Sequence, residues 1–418
     1  MPENKSFGGV LGRHLQKYVV TYIFLAISVV GVFFSGMPLT AILSELVGRI
    51  FRNAFMILAL LIPIVAGMGI NFAVTIGAMA AQIAILLALN WKLPGIWGIL
   101  AAGAITVPLG ILFGIGIGKL LNKMKGQETI GSMILGYFAN GAYQLLFLFV
   151  FGTIIPMSEE VTIVAGSGIK NSLTLMGENG MYAALDNLWK TSFSTAWYIL
   201  SGILFVGALL LLVLKKIEKK TAIGYMAGAA VMAGVYSIPI VSQVFSTIRV
   251  PMITMLLIGL LCTFNVVIMR TKLGQKFRAV GQNRVVANAS GINVDKVRMI
   301  AITISTVFAG WGHIIFIQNL GTLTAYSQHE QVGLYAGAAI LVGGASIDSA
   351  TNGQALIGCL LFHAMFTVVQ KVASNLFGDP NIGEYFRVFL CYGVIALALV
   401  IYTWRNAQEA KMKLRQLR

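Results

Sequence analysis

Long apolar runs separated by short polar breaks dominate the chain from Tyr18 onwards. The runs at Tyr18–Phe34 and Ile253–Met269 are typical. A helix that crosses a bilayer needs about 20 mostly apolar residues, so these runs predict membrane-spanning helices. They are continuous, unlike the alternating segments of an outer-membrane β-barrel. Twelve candidate segments follow: 18–34, 54–71, 72–89, 95–118, 129–156, 195–214, 222–241, 250–269, 300–318, 333–347, 355–373 and 386–404.

Two of these regions are interrupted by glycines, one in each half of the chain. Residues 67–77 read GMGINFAVTIG, and residues 334–346 read LYAGAAILVGGAS. Unwound backbone is tolerated in a membrane only where it lines a cavity, so paired breaks indicate a substrate site. Close helix packing through small residues is the alternative, and the sequence leaves both open. The glycines concerned are Gly67, Gly69, Gly77, Gly343 and Gly344.

Composition agrees with this pattern. Charged residues make up 11% of the 418 residues and apolar residues 58%, whereas a soluble domain carries about 25% charged residues. We therefore predict an all-α polytopic membrane protein with about 10–12 transmembrane segments, including broken or re-entrant helices in each half.

The net charge of +16 reflects basic residues gathered in alternate polar breaks. This distribution fits the positive-inside rule better than nucleic-acid binding, so we expect both termini to be cytoplasmic and no nucleic-acid partner. The predicted organisation comprises a cytoplasmic segment 1–17, one transmembrane domain 18–404 with an external loop 157–191 and a cytoplasmic loop 270–299, and a basic cytoplasmic tail 405–418.

None of the 14 acidic residues falls inside the twelve candidate segments. Intramembrane carboxylates are typical of ion-coupled transport, so their absence favours a path for neutral cargo. Amide and imidazole groups are then the candidates to line the path, although they are equally suited to bonds between helices. Asn140 and Gln144 are four residues apart and share a helix face. The path candidates are Asn71, Asn140, Gln144, His313 and Gln318.

No catalytic motif is present. The stretch Gly114–Lys119 reads GIGIGK, but it follows a membrane segment and lacks the P-loop pattern G-x-x-x-x-G-K-S/T, so it predicts helix packing. HExxH, GxSxG and Cys/His metal-ligand spacings are also missing from the sequence. We expect no catalytic residue, metal or cofactor on this chain.

The loop after Met269 carries the most specific pattern, RTKLGQKFRAVGQNRVVANASGI. It resembles the cytoplasmic signature of permease subunits of bacterial ABC importers of the ribose, galactose and nucleoside type, approximately G-x-x-x-R-A-x-G-x-N-x-x-A-A-x-x-x-G-I. The first of the paired alanines is replaced by Val286. The resemblance covers roughly 54–404, and 157–241 is its least similar part, a candidate added helix pair. The matching residues are Gly274, Arg278, Ala279, Gly281, Asn283, Ala287, Gly291 and Ile292.

In that family the loop forms the coupling helix, which docks on a cytoplasmic ATPase. The resemblance therefore implies partner ABC ATPase subunits that bind ATP and Mg²⁺, a second permease subunit, an external solute-binding protein and a bacterial plasma membrane. Glycines would permit a tight entry and exit, and small alanines a close approach to the partner. An ion-coupled secondary transporter is the alternative, followed by a non-transporting membrane scaffold.

Two features bear on the cargo and conflict. Sugar permeases of this family carry G-G-I-D-L-S-V-G in the first break, where this chain has Asn71 at the aspartate position. Residues 127–137, QETIGSMILGY, resemble the E-x-I-x-T-x-M-L-N-Y run of the nucleoside branch. Both cargo classes remain open.

The external loop is either a variable insertion or a docking surface. Its end, Tyr182–Trp189, is a candidate interfacial helix.

Overall fold

The computed structural model describes residues 18–400 except 125, 159–160, 162–163, 166–167, 170–171, 216–217, 326, 380, 394 and 398–399. The predicted terminal segments 1–17 and 405–418 lie outside the described residues. Residues 381–393 and 395–397 are also helical. The named helices are α1 Val19–Ser35, α2 Leu39–Ala59, α3 Leu61–Val65, α4 Val74–Asn90, α5 Gly95–Lys123, α6 Glu128–Leu145, α7 Phe193–Val213, α8 Lys219–Tyr236, α9 Pro239–Val244, α10 Met252–Arg270, α11 Lys272–Gln282, α12 Arg284–Ala289, α13 Val294–Leu320, α14 Gln328–Val342 and α15 Asn352–Phe377.

The polytopic all-α prediction is confirmed. Seven helices among the described residues are long and apolar enough to cross a membrane, and α1 and α4 are shorter apolar helices. Each of the twelve predicted segments contains helix. The seven spans are Leu39–Val65, Gly95–Lys123, Glu128–Val150, Phe193–Val213, Met252–Arg270, Val294–Leu320 and Asn352–Phe377.

The predicted absence of acidic residues from these helices is wrong. The span that corresponds to the second predicted segment begins at Leu39 rather than at residue 54 and includes Glu45. Its carboxylate lies 2.8 Å from Arg49 and 3.8 Å from Arg52, so opposite charges compensate one another along the helix. Glu128 is likewise the first residue of a span. The argument from missing carboxylates against ion-coupled transport therefore no longer holds.

Helix α13 lies at the centre of the fold and packs on α5, α4 and α2. Three glycines of α5 permit this packing. A Cβ at Gly114 would lie 2.6 Å from the Cα of Thr303, and one at Gly118 would lie 2.9 Å from the Cα of Met299. A Cβ at Gly110 would likewise lie 3.1 Å from the Cα of Val307 on α13. The GIGIGK stretch is thus a helix-packing motif, as predicted from its sequence.

Residues 157–241, predicted to be the part least similar to the family, contain a helical pair. Helices α7 and α8 pack chiefly on one another, and the indole of Trp197 donates a hydrogen bond to the carbonyl of Met232 at 2.7 Å. The outer faces of both helices expose apolar side chains such as Ile203, Leu210 and Val231. This surface is suited to lipid.

Short antiparallel strands tie the predicted external loop to the helices. The strands are β1 Val164–Ala165, β2 Gly168–Ile169, β3 Ser172–Thr174, β4 Lys190–Ser192, β5 Arg249–Pro251 and β6 Thr322–Thr324, and β1 pairs with β2, β3 with β6 and β4 with β5.

The predicted interfacial helix near Tyr182–Trp189 is only a 3-10 turn at Asp186–Leu188. Asp186 is buried and accepts hydrogen bonds from Thr254 at 2.6 Å and Asn319 at 2.7 Å. These bonds hold the end of the loop onto α10 and α13.

Candidate coupling surface and translocation cavity

The first predicted break overlaps residues 66–73, which lie between α3 and α4 and belong to neither helix. Gly67 and Gly69 have φ values of +71° and +66°, which side chains with a Cβ rarely adopt. The side chain of Asn71 accepts a hydrogen bond from the amide of Ala73 at 3.1 Å just before α4 begins. These features interrupt the helix within an apolar stretch.

A second break follows α14, which has 15 residues. Gly344 has a φ of +84°, and a Cβ at Gly343 would lie 1.8 Å from the carbonyl oxygen of Gln354. Thr351 and Gln354 then form a capping box that begins α15. The first predicted break is therefore present, whereas residues 334–342 of the second belong to α14 and the chain leaves the helix only at Gly343 and Gly344. The remaining predicted glycine, Gly77, lies inside α4, where a Cβ would meet the carbonyl of Thr306 on α13.

The signature loop folds into the two short helices α11 and α12. Asn283 ends the first and caps the second, since its side chain accepts hydrogen bonds from the amides of Val285 and Val286. Gly274 permits a sharp entry, because a Cβ there would lie 2.2 Å from the carbonyl of Ile268. Gly291, with a φ of +79°, permits the exit. The remaining signature residue of the exit, Ile292, is half-buried.

One face of this loop is anchored on the first break. A Cβ at Gly281 would lie 2.1 Å from the carbonyl oxygen of Val65, and one at Gly67 would lie 2.8 Å from the Cα of Gly281. Phe277 and Ala287 are buried in the same cluster. Gly281 and Ala287 therefore approach the chain's own helices closely, whereas the resemblance implied that the alanines approach a partner.

Charges strengthen this anchor. The Glu128 carboxylate at the start of α6 lies 2.7 Å from Arg284 and 2.5 Å from Arg298. Arg284 also donates to the carbonyl of Gly67 at 2.7 Å. Arg298 is 1% exposed, so the carboxylate supplies the counter-charge that a buried guanidinium requires. The cluster joins α6, the loop, α13 and the break.

The opposite face of the loop is exposed. Val285 and Val286 are 78% and 60% exposed and stand beside exposed polar residues. Arg278 is exposed and donates to the carbonyl of Met269 at 3.1 Å, while Ala279 is half-buried. An apolar pair on a basic loop provides a surface suited to a protein partner.

A cavity of about 190 Å³ lies between the first break, α6, α14 and the helix at residues 381–393. Aromatic rings and polar groups share its wall. The lining residues are Phe72, Thr75, Met133, Gly136, Tyr137, Glu330, Gln331, Leu334, Tyr335, Val388 and Tyr392.

None of the predicted path residues is among those that line this cavity. Asn71, His313 and Gln318 are buried, and Gln144 is half-buried. Asn140 reaches the wall indirectly, through a hydrogen bond to Glu330. Their role as path residues stays a prediction.

Sequence reasoning missed Glu330, Glu128 and Arg298. Glu330 adjoins a predicted segment that begins at residue 333, and extending that segment by one helical turn would have found it.

Spanning helices, a cavity beside the first break and a basic loop anchored on that break together fit a polytopic membrane permease. The chain belongs to the family described as the permease component of branched-chain amino acid transport systems, whose model matches residues 42–399. This confirms the family expected from the signature loop.

The chain is also similar to the nucleoside ABC transporter permease protein NupC of Lactococcus lactis subsp. cremoris (strain MG1363). The two are 27% identical over 168 residues, which cover 40% of this chain and 50% of that protein. The chain thus spans about half the length of this curated relative. No solved structure matches the chain.

Proposed function

We propose that the chain is the membrane-spanning subunit of an ATP-driven importer in a bacterial plasma membrane. ATP and Mg²⁺ bind to a separate cytoplasmic ATPase, and its closure drives alternating access through the loop formed by α11 and α12. A second permease subunit and an external solute-binding protein complete the assembly. The chain itself carries out no covalent chemistry in this proposal.

The observation that carries the proposal is the two-sided loop. Its inner face is fixed to the first break through Gly281 and Arg284, while Val285 and Val286 point away from the helices and are exposed. A partner that moves this outer face would move the break with it. Family membership supports the same conclusion and opposes the ion-coupled alternative.

Co-purification of the chain with its ATPase tests the docking surface. Replacing Val285 and Val286 together by serine removes the exposed apolar pair, so we expect the ATPase retained on the tagged permease to fall about tenfold. Leu376 and Phe377, which are also exposed, provide the control when both are replaced by serine. Equal retention of the ATPase by both double variants would show that the loop is not the docking surface.

We further propose that the cargo is a neutral nucleoside. The nucleoside relative supports this assignment, and so does the cavity wall. Phe72, Tyr137, Tyr335 and Tyr392 present rings on which a nucleobase can stack, and Glu330 provides an acceptor for ribose hydroxyls.

ATP-dependent uptake into proteoliposomes that contain the whole importer tests this cargo. We expect tritiated uridine to accumulate and ribose not to compete. Ribose uptake without uridine uptake would assign the cargo to the sugars. Uphill uptake by the chain alone, driven by an ion gradient without ATP, would overturn the importer proposal.

A further inference from the structure

Glu330 is the acidic residue among those that line the cavity. It lies in the first turn of α14, a helix held tightly against the first break. A Cβ at Gly333 would lie 2.5 Å from the Thr75 methyl group, and one at Gly337 would lie 2.6 Å from the Phe72 ring. This close packing fixes the position of Glu330 relative to the cavity wall.

A chain of hydrogen bonds orients the Glu330 carboxylate. The side-chain oxygen of Asn140 lies 2.8 Å from Nε2 of His329, and the amide group of Asn140 donates to Oε1 of Glu330. His329 is fully buried and packs edge-on against Tyr143, with 4.7 Å between the ring centroids. When Nε2 of His329 carries the proton, the amide of Asn140 must present its N–H groups to Glu330.

This arrangement leaves Glu330 able to accept further hydrogen bonds. Among the described residues the structure gives no hydrogen bond to its Oε2 atom. The Tyr335 hydroxyl on the same wall is buried and also has no hydrogen-bond partner among the described residues. Arg387, on the neighbouring helix, is paired with Glu384, which reduces its ability to offset the charge of Glu330.

We propose that Glu330 is a specificity-determining residue of the cavity. Its carboxylate accepts a hydrogen bond from a hydroxyl or amino group of a neutral cargo and repels a cargo that carries a carboxylate of its own. Asn140 and His329 are positioning residues that hold the carboxylate in this orientation. The inference rests on the proposed function in taking the cavity as the passage for cargo and a nucleoside as that cargo.

Binding to the purified full-length chain in detergent tests this proposal, with uridine and uridine-5′-carboxylic acid as a matched pair of probes. Titration calorimetry or saturation-transfer NMR measures the two affinities. We expect the wild-type chain to prefer uridine by about tenfold or more, since a hydrogen bond to a charged group contributes strongly to binding. Glu330→Gln should weaken uridine binding about tenfold and bring the ratio of the affinities close to one.

The ratio separates a charge effect from structural damage, because a distorted cavity would weaken both ligands together. Glu178→Gln removes the same charge from the exposed external loop and should leave both affinities unchanged. His329→Gln retains an N–H donor and should preserve the preference, whereas His329→Leu and Asn140→Leu should reduce it.

Three results would overturn the proposal: a wild-type chain that binds neither probe, one that binds both equally, or a Glu330→Gln variant with an unchanged ratio. The binding assay needs no ATPase. A failure of ATP-dependent uptake with a normal binding ratio would therefore reject the importer proposal and leave the role of Glu330 intact.

Discussion

Gly281→Ala is the sharpest test of the link between the signature loop and the first break. The added Cβ would lie 2.1 Å from the carbonyl oxygen of Val65, whereas ordinary van der Waals contact begins near 3.4 Å. Loop and break must therefore separate by roughly 1 Å, at an overpacking cost of about 1–3 kcal/mol. The same movement strains the hydrogen bond from Arg284 to Gly67, and a bond of this charged kind contributes about 1.5–3 kcal/mol.

A substitution that destabilises the coupled state by about 1.4 kcal/mol lowers the population of that state about tenfold. We therefore expect Gly281→Ala to lower ATP-dependent uptake about tenfold, while membrane insertion and the basal ATPase rate stay normal. Gly259→Ala is the matched control, since a Cβ at Gly259 meets nothing within 4 Å. Uptake by Gly281→Ala equal to that of the control would refute the proposed mechanical link.

Three further substitutions test the packing of the helices and of the loop predicted to be external. Glu128→Gln leaves the buried Arg298 without its counter-charge, so the unfolding free energy should fall by about 3–5 kcal/mol; an unchanged thermal midpoint in detergent would contradict this. Gly114→Leu forces a side chain against the backbone of Thr303 and should lower the same midpoint by several degrees, whereas no change would place α5 further from α13. Asp186→Ala leaves two donors of α10 and α13 without their acceptor, so limited proteolysis should cut the external loop faster than in the wild-type chain; equal cleavage rates would show that Asp186 does not hold the loop.

Hydropathy predicted the helices well because every backbone polar group in a bilayer must be satisfied within a helix. Hydropathy did not predict the correct start of a helix in which neighbouring charged residues form an ion pair. The helix that contains Glu45 and Arg49 was predicted to begin 15 residues too late, because a hydropathy reading counts each charge separately and ignores their contact. The helical spacing of the two residues, four apart, was the available signal.

Local sequence patterns could not predict the polar contacts of the site. Glu128 and Arg298 are 170 positions apart in the sequence, and Asn140 and Glu330 are 190 apart. No periodicity or motif within one segment relates such residues. The glycine pattern predicted that the helix is interrupted at Gly67. It could not predict that Gly67 contacts Gly281, because that contact depends on how the signature loop folds against the break.

The first break makes two separate sets of contacts. At one end, Gly67 touches Gly281 and accepts a hydrogen bond from Arg284, so it follows the loop. At the other end, Phe72 lines the cavity, and its amide donates to Ser132 of α6 at 3.0 Å. Residues 67–72 therefore connect the surface proposed to receive the ATPase to the wall proposed to contact the cargo. Because packed interiors transmit small displacements rather than absorb them, a shift of the loop by about 1 Å should reach the cavity wall. Because the break is short irregular backbone rather than a continuous helix, we expect this shift to occur without moving the whole of α3 or α4.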